Sequence, residues 1–269
     1  MVLTSGQSRW SLVRLVLVVS SLSVANVEGF GEIRALKLKF LTLLGYKMNP
    51  EAILRSADAV CFDVDSTLFT TEGVDELTEF MNKTKETKHQ PLAALCGVSN
   101  VRKAMEDRMN LLKPSIEDMK QFNKERSPKI SPGAVDLIHC LQKNNVPVYL
   151  ISGGFRSYIL PKIKELNITP ENLFANKLMF YFDGSYAGID HREPTSDNSG
   201  KATIIEDLKS KFNYRTVVMI GDGVRDIEPC PPADICIGYG GNIVRPVVKS
   251  KADWYVMDFK EIADSYGKC

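Results

Sequence analysis

The chain has 269 residues, 44% of them hydrophobic and 25% charged, a globular balance sufficient for one large domain or one domain carrying an insertion. A formal net charge of +1 with no block of like charge argues against a nucleic-acid binder. No fixed-period repeat is present.

In chain order, residues 1–27 lack Asp and Glu, begin basic with Arg9 and Arg14, and continue into the apolar run Leu15–Val19. That pattern fits a secretory signal or a transit peptide and is too short to span a bilayer, so residues 1–45 are set apart as a leader. The predicted fold therefore starts at residue 46.

The first apolar run, Ala59–Phe62, ends in Asp63-Val64-Asp65-Ser66-Thr67. Residues 74–130 break the strand–helix alternation. They carry predicted helices over Val74–Met81, Val101–Leu112 and Ser115–Arg126, and read as an inserted helical cap. A helix over Gly133–Lys143 precedes the run Val146–Ile151, which ends in Ser152-Gly153-Gly154. Phe174–Asp190 contains an Asp183-Gly184 hairpin turn. A helix over Ala202–Phe212 precedes Val217–Ile220, which ends in Gly221-Asp222-Gly223-Val224-Arg225-Asp226. Shorter runs follow at Asp234–Ile237 and Trp254–Met257. Short apolar runs alternating with helices predict a doubly wound, parallel α/β sheet of Rossmann-like type, with the core in residues 46–73 and 131–269.

Ligands of open α/β sheets bind outside the carboxyl ends of the strands, so the three polar clusters should converge. Asp63 and Asp65 close together would repel unless a proton or cation intervened. Such a pair can divide labour, one carboxylate attacking as nucleophile and the other moving a proton. The bland alternative is a helix-capping Asp. Asp222 and Asp226 make four carboxylates at one sheet edge, and hard oxygen donors without His or Cys suit Mg2+ rather than zinc. Ser152 and Gly153 offer an anion site at a helix start, and Lys201 offers a point charge. Together they describe a phosphoryl group held between cations and carboxylates.

The set Asp63-x-Asp65-Ser66-Thr67, Ser152-Gly153-Gly154, Lys201 and Gly221-Asp222-Gly223-x-x-Asp226 resembles the four motifs of the haloacid dehalogenase-type phosphatases. The likeness, over residues 50–265, narrows to the phosphoserine phosphatase family. It implies Mg2+-dependent hydrolysis of O-phospho-L-serine, the last step of serine biosynthesis, through an aspartyl-phosphate. Asp63 is expected as nucleophile and Asp65 as the group that protonates the leaving oxygen and later activates water. Mg2+ is expected on Asp63, Asp222 and the main-chain carbonyl of Asp65, supported by Asp226. Phosphate falls to Ser152, Gly153 and Lys201. Glu72 is expected to meet the substrate ammonium and Arg108 its carboxylate, an assignment that a solvated helix face would otherwise explain. The family commonly forms homodimers. Its biosynthetic role implies the cytosol, which is the expectation here, whereas residues 1–27 point to export or an organelle; no membrane association is expected of the mature chain.

The chain departs from the family in the cap turn Leu95-Cys96-Gly97, in Val101 where an aromatic is usual, and in Arg225 at the phosphate motif. A phosphatase for another small phosphomonoester, or a weakly catalytic binding protein on the same fold, are the other readings these changes leave. The six cysteines form no CxxC pair. Cys61 reads as a buried reduced thiol, and no disulfide framework is expected.

Overall fold

A six-stranded parallel sheet forms the frame on which the polar clusters are displayed. The computed structural model describes residues 49–87, 101–267 and 269; the leader expected over residues 1–45 and the turn at Leu95-Cys96-Gly97 lie outside them. Helix α1 (Pro50–Arg55) starts behind Asn49, whose side chain accepts from the Glu51 amide at 3.0 Å. It feeds strand β1 (Ala59–Phe62). Helices α2 (Gly73–Phe80), α3 (Thr84–Thr87), α4 (Val101–Leu112), α5 (Ile116–Glu125) and α6 (Ala134–Lys143) follow before β2 (Val148–Phe155). Then come α7 (Arg156–Ile163), β3 (Leu173–Asn176), the hairpin β4 (Leu178–Phe180) and β5 (Tyr186–Ile189), α8 (Gly200–Phe212), β6 (Val217–Gly221), α9 (Val224–Ile227), β7 (Ile235–Tyr239), α10 (Pro246–Lys251), β8 (Trp254–Val256) and α11 (Phe259–Tyr266).

The strand order is β3-β2-β1-β6-β7-β8, with every pair parallel. β1 is central: Val60 pairs with Val148 on one side and Val218 on the other. Its four residues are all buried because both faces are covered. Val60 and Phe62 enter one apolar cluster, and Ala59 and Cys61 enter the other. Val60 and Phe62 each contribute roughly 1.5–3 kcal/mol on burial, which an ionised carboxylate at the same depth would oppose. The apolar run therefore stops at Phe62, and Asp63 falls where the chain leaves the sheet.

Between β1 and β2 the described residues form mainly helices, α2 to α6. Helix α4 buries Val101, Met105, Arg108, Met109 and Leu112, a stripe at helical spacing. Ser115 opens α5 with a reciprocal capping box to Asp118. Gly184, with φ of 85°, turns the β4–β5 hairpin as its Asp-Gly sequence predicts.

Two expectations need correction. β2 does not end at Ile151 but runs through Ser152-Gly153-Gly154 to Phe155, and α7 begins only at Arg156. β3, a strand the periodicity missed, continues the sheet there, with a register shift between Ile151 and Phe155. The cysteines also form bonds: Cys140 pairs with Cys269 and Cys230 with Cys236. Their spacing hid this, because the sheet and the last helix bring the partners together. Cys61 is the free cysteine among the described residues, and it is fully buried as expected. Among the described residues no helix is long and apolar enough to cross a membrane.

Candidate active site

Asp63 leaves β1 with its amide bonded to the Ile220 carbonyl at 2.8 Å, which ties the strand end to β6. The next residues fold into a tight turn in which Ser66 takes a left-handed φ of 56°. The Phe69 amide closes this turn on the Val64 carbonyl. Three outside groups hold it. Ser131 Oγ donates to the Thr67 carbonyl at 2.6 Å, and Asn242 Nδ2 donates to Ser131 Oγ at 2.7 Å and to the Ser66 carbonyl at 3.1 Å. Thr67 Oγ1 donates to Asp222 Oδ1 at 3.0 Å, which links the turn to the end of β6.

Asp63, Asp222 and Asp226 place carboxylate oxygens within 4.8 Å of one another, and all three residues are buried. The Lys201 ammonium, buried at the start of α8, ion-pairs with both Asp63 and Asp226. Asp63 makes no helix-capping bond, so the capping alternative fails for it. Burial, then the Asp226 charge, pushes the Asp63 carboxyl well above its ordinary value, against the pull of Lys201. Burial and Asp226 likewise raise Asp222. Burial works to lower the Lys201 ammonium, but Asp226 and Asp63 outweigh it and hold it above its usual value. Three buried carboxylates around one lysine carry excess negative charge, and their donors are all hard oxygens. That donor set fits a divalent cation of the Mg2+ type.

Asp65 faces elsewhere. Its Oδ1 accepts from the Gly73 amide at the start of α2 at 2.8 Å, and its Oδ2 accepts from Ser152 Oγ at 2.9 Å. It thus caps a helix eight residues away, while burial raises its carboxyl. Gly154 is required here: a Cβ would lie 2.5 Å from Asp65 Oδ2. Ser152 Oγ also accepts from the Gly154 amide at 2.8 Å. Asn176, at the end of β3, donates to the Gly153 carbonyl at 2.8 Å. Arg225 crosses this surface. Its Nη2 donates to the Asp197 carbonyl at 3.0 Å, its Nη1 lies 3.3 Å from where a Gly153 Cβ would stand, and its buried Nε has no partner.

Glu72 lies beside the first turn, whereas Arg108 is held on the helical segment. Glu72 accepts from Ser66 Oγ at 2.8 Å and lies 3.8 Å from Arg245. Arg245 Nε also donates to Asp222 Oδ2 at 2.9 Å. Arg108 is buried on α4, ion-paired with Asp75 and bonded to Thr78 Oγ1 at 3.0 Å, and its Nε has no partner. Val101 is buried at the start of α4, its amide donating to Asn198 Oδ1 at 3.1 Å.

The geometry thus brings Asp63, Asp222, Asp226 and Lys201 together, with Asp65, Ser152 and Gly153 beside them. Asn242 and Arg245 escaped the sequence reading, and Thr67 had entered it only as part of a motif. The signal for Asn242 was available: Gly240-Gly241-Asn242 follows the carboxyl end of β7, the same kind of edge that marked the other three clusters.

Comparison with known proteins bears on this arrangement. The haloacid dehalogenase-like hydrolase family model matches residues 57–234. The phosphoserine phosphatase of Bos taurus is 46% identical over 207 residues, covering 77% of this chain and 92% of that protein. A phospho-aspartyl intermediate analogue of phosphoserine phosphatase superposes with TM-score 0.67 at 27% identity, over 77% of this chain and 97% of its own. DsGPDH of Dunaliella salina superposes with TM-score 0.70 at 35% identity, over 80% of this chain but 37% of its own length.

Proposed function

The chain belongs to the haloacid dehalogenase-like hydrolases, within their phosphoserine phosphatase branch, and from that membership we propose that it hydrolyses O-phospho-L-serine to L-serine and phosphate with Asp63 as nucleophile. The observation that carries this is the meeting, at one sheet edge, of the buried Asp63 carboxylate with Asp222, Asp226 and the Lys201 ammonium.

An Asp63 oxygen attacks phosphorus, and the bond from phosphorus to the serine oxygen breaks. Asp65, whose carboxyl burial raises, gives a proton to that oxygen, so serine leaves neutral at the hydroxyl. The Asp65 carboxylate then takes a proton from water, whose oxygen attacks the aspartyl-phosphate and frees phosphate and Asp63. Lys201, Ser152 and the Gly153 amide hold the phosphoryl oxygens. Asp63, Asp222 and the main-chain carbonyl of Asp65, with Asp226 in support, would hold Mg2+, which would supply a fixed positive charge against the phosphoryl group. Glu72 takes the substrate ammonium and Arg108 its carboxylate, for which the Arg108 fork is suited once Asp75 is displaced. We read residues 74–130 as the cap that supplies Arg108 to this recognition, with Glu72 just before it in the chain.

The test is phosphate release from O-phospho-L-serine with and without Mg2+, for the wild type and Asp63→Asn. Loss of the nucleophile should lower kcat by at least about 10³-fold while circular dichroism stays unchanged. Residual activity within about tenfold of wild type removes Asp63 from that role.

A further inference from the structure

Two features that the phosphatase site does not use point in one direction. The first is the cysteines. Four of them are joined in pairs remote in sequence or in element: Cys140 near the end of α6 to Cys269 at the last residue, and Cys230 before β7 to Cys236 inside it. Disulfides are rare in compartments where glutathione keeps thiols reduced, and they persist where proteins are secreted. The remaining described thiol, Cys61, is sealed in the core between both sheet neighbours. Among the described cysteines, four are therefore paired and the fifth, inside the sheet, is shielded.

The second is the asparagines. Asn82-Lys83-Thr84 and Asn167-Ile168-Thr169 are the two Asn-x-Thr sequons of the chain. Both asparagines are exposed and sit at turns in the left-handed region, with φ of 57° and 52°. Both threonines are exposed as well. Neither asparagine side-chain amide makes a hydrogen bond among the described residues, whereas Asn123, Asn172, Asn176 and Asn242 each commit theirs to the fold. A bulky glycan on such a turn projects into solvent and displaces no packed or hydrogen-bonded group.

We propose that this chain matures in the oxidising lumen of the secretory route, carrying Cys140–Cys269 and Cys230–Cys236 as lasting disulfides and N-linked glycans on Asn82 and Asn167. Each disulfide forms as two thiols pass two electrons and two protons to the disulfide of a thiol–disulfide oxidoreductase, which leaves as a dithiol. Each glycan arrives from a lipid diphosphate donor: the asparagine nitrogen bonds the sugar's anomeric carbon, loses a proton, and the lipid diphosphate departs. The acid-free, apolar residues 1–27 have the composition of an address for that route. The cytosolic expectation came from the family's usual metabolic role, which neither feature supports.

The full chain, produced in animal cells, decides this by peptide mapping. The protein is alkylated in denaturant without reductant, then reduced and alkylated with a second reagent. Cys61 should take the first reagent, and Cys140, Cys230, Cys236 and Cys269 only the second. Treatment with a peptide amidase in heavy-oxygen water should convert Asn82 and Asn167 into labelled aspartates. First-reagent label on any of the four paired cysteines, or an unconverted Asn82 or Asn167, overturns the proposal. Because the map is made on wild-type protein, misfolding of an Asn82→Gln or Asn167→Gln variant does not affect it. Phosphatase activity is not part of the readout, so the proposed reaction and this proposal fail separately.

Discussion

Single charges set the behaviour of this site. Burial, reinforced by the Asp65 charge, raises the Glu72 carboxyl from 4.5 to about 8. The folded chain thus holds that proton more tightly than the unfolded chain. The resulting stability is complete below about pH 4.5 and is lost as the pH rises through about 8. In chelator, the thermal midpoint should fall between about pH 5 and about pH 9, and Glu72→Gln should flatten that fall. Asp63, Asp65 and Asp222 tilt the curve the same way in both proteins, so parallel curves would clear Glu72 of the effect. A substrate ammonium placed on Glu72 favours the ionised form and expels the proton, so its pairing strengthens with pH. Arg225 is the other charge of interest. Its guanidinium lies against Gly153 with donors to spare, beside the proposed phosphate site. Arg225→Asn should raise KM for phosphoserine by about 10–100-fold, the worth of one charge-assisted hydrogen bond. An unchanged KM means that the arginine serves only to tie down the carbonyls of Thr195 and Asp197.

Among the elements, the turn after β1 shows how the scaffold fixes a nucleophile. Its sequence contains a strained left-handed Ser66 and no regular hydrogen-bond ladder. Asn242, from the loop after β7, supplies what the turn lacks by donating to Ser131 Oγ and to main-chain carbonyls of the turn. Asn242→Ala leaves those acceptors unpaired, at about 1–3 kcal/mol for each group left buried. The thermal midpoint should fall, and kcat should drop more than KM rises, since the turn aims Asp63 rather than binding substrate. An equal change in both constants places Asn242 in substrate binding instead. The same element explains a limit of pattern reading. The run Ala59–Phe62 and its acidic end were legible because a buried parallel strand must be apolar throughout and must end where charges begin. The extension of β2 through Ser152-Gly153-Gly154 was not, because small residues at a bulge carry no periodic signal.

For the molecule as a whole, the two disulfides differ in reach. Cys140–Cys269 closes a separation of 129 residues and Cys230–Cys236 one of 6. In the chain-entropy account the first restricts the unfolded state by about 5 kcal/mol and the second by about 2 kcal/mol, and measured effects commonly run lower. Denaturant unfolding of Cys269→Ala and Cys236→Ala should therefore show the larger loss for the first. The opposite order would mean that packing around Cys236, inside β7, outweighs loop closure. The residue types themselves determined the parallel α/β class, the edge on which chemistry gathers, and the acidic set with its lysine, because these follow from local runs and the charges that end them. Tertiary structure alone decided the cysteine partners, the tie of Asn242 to the first turn, the pairing of Arg108 with Asp75 and the reach of Arg245 to Asp222. Those contacts join segments that meet only once the sheet has ordered its strands, and side-chain pairing across such distances leaves no trace in spacing or periodicity.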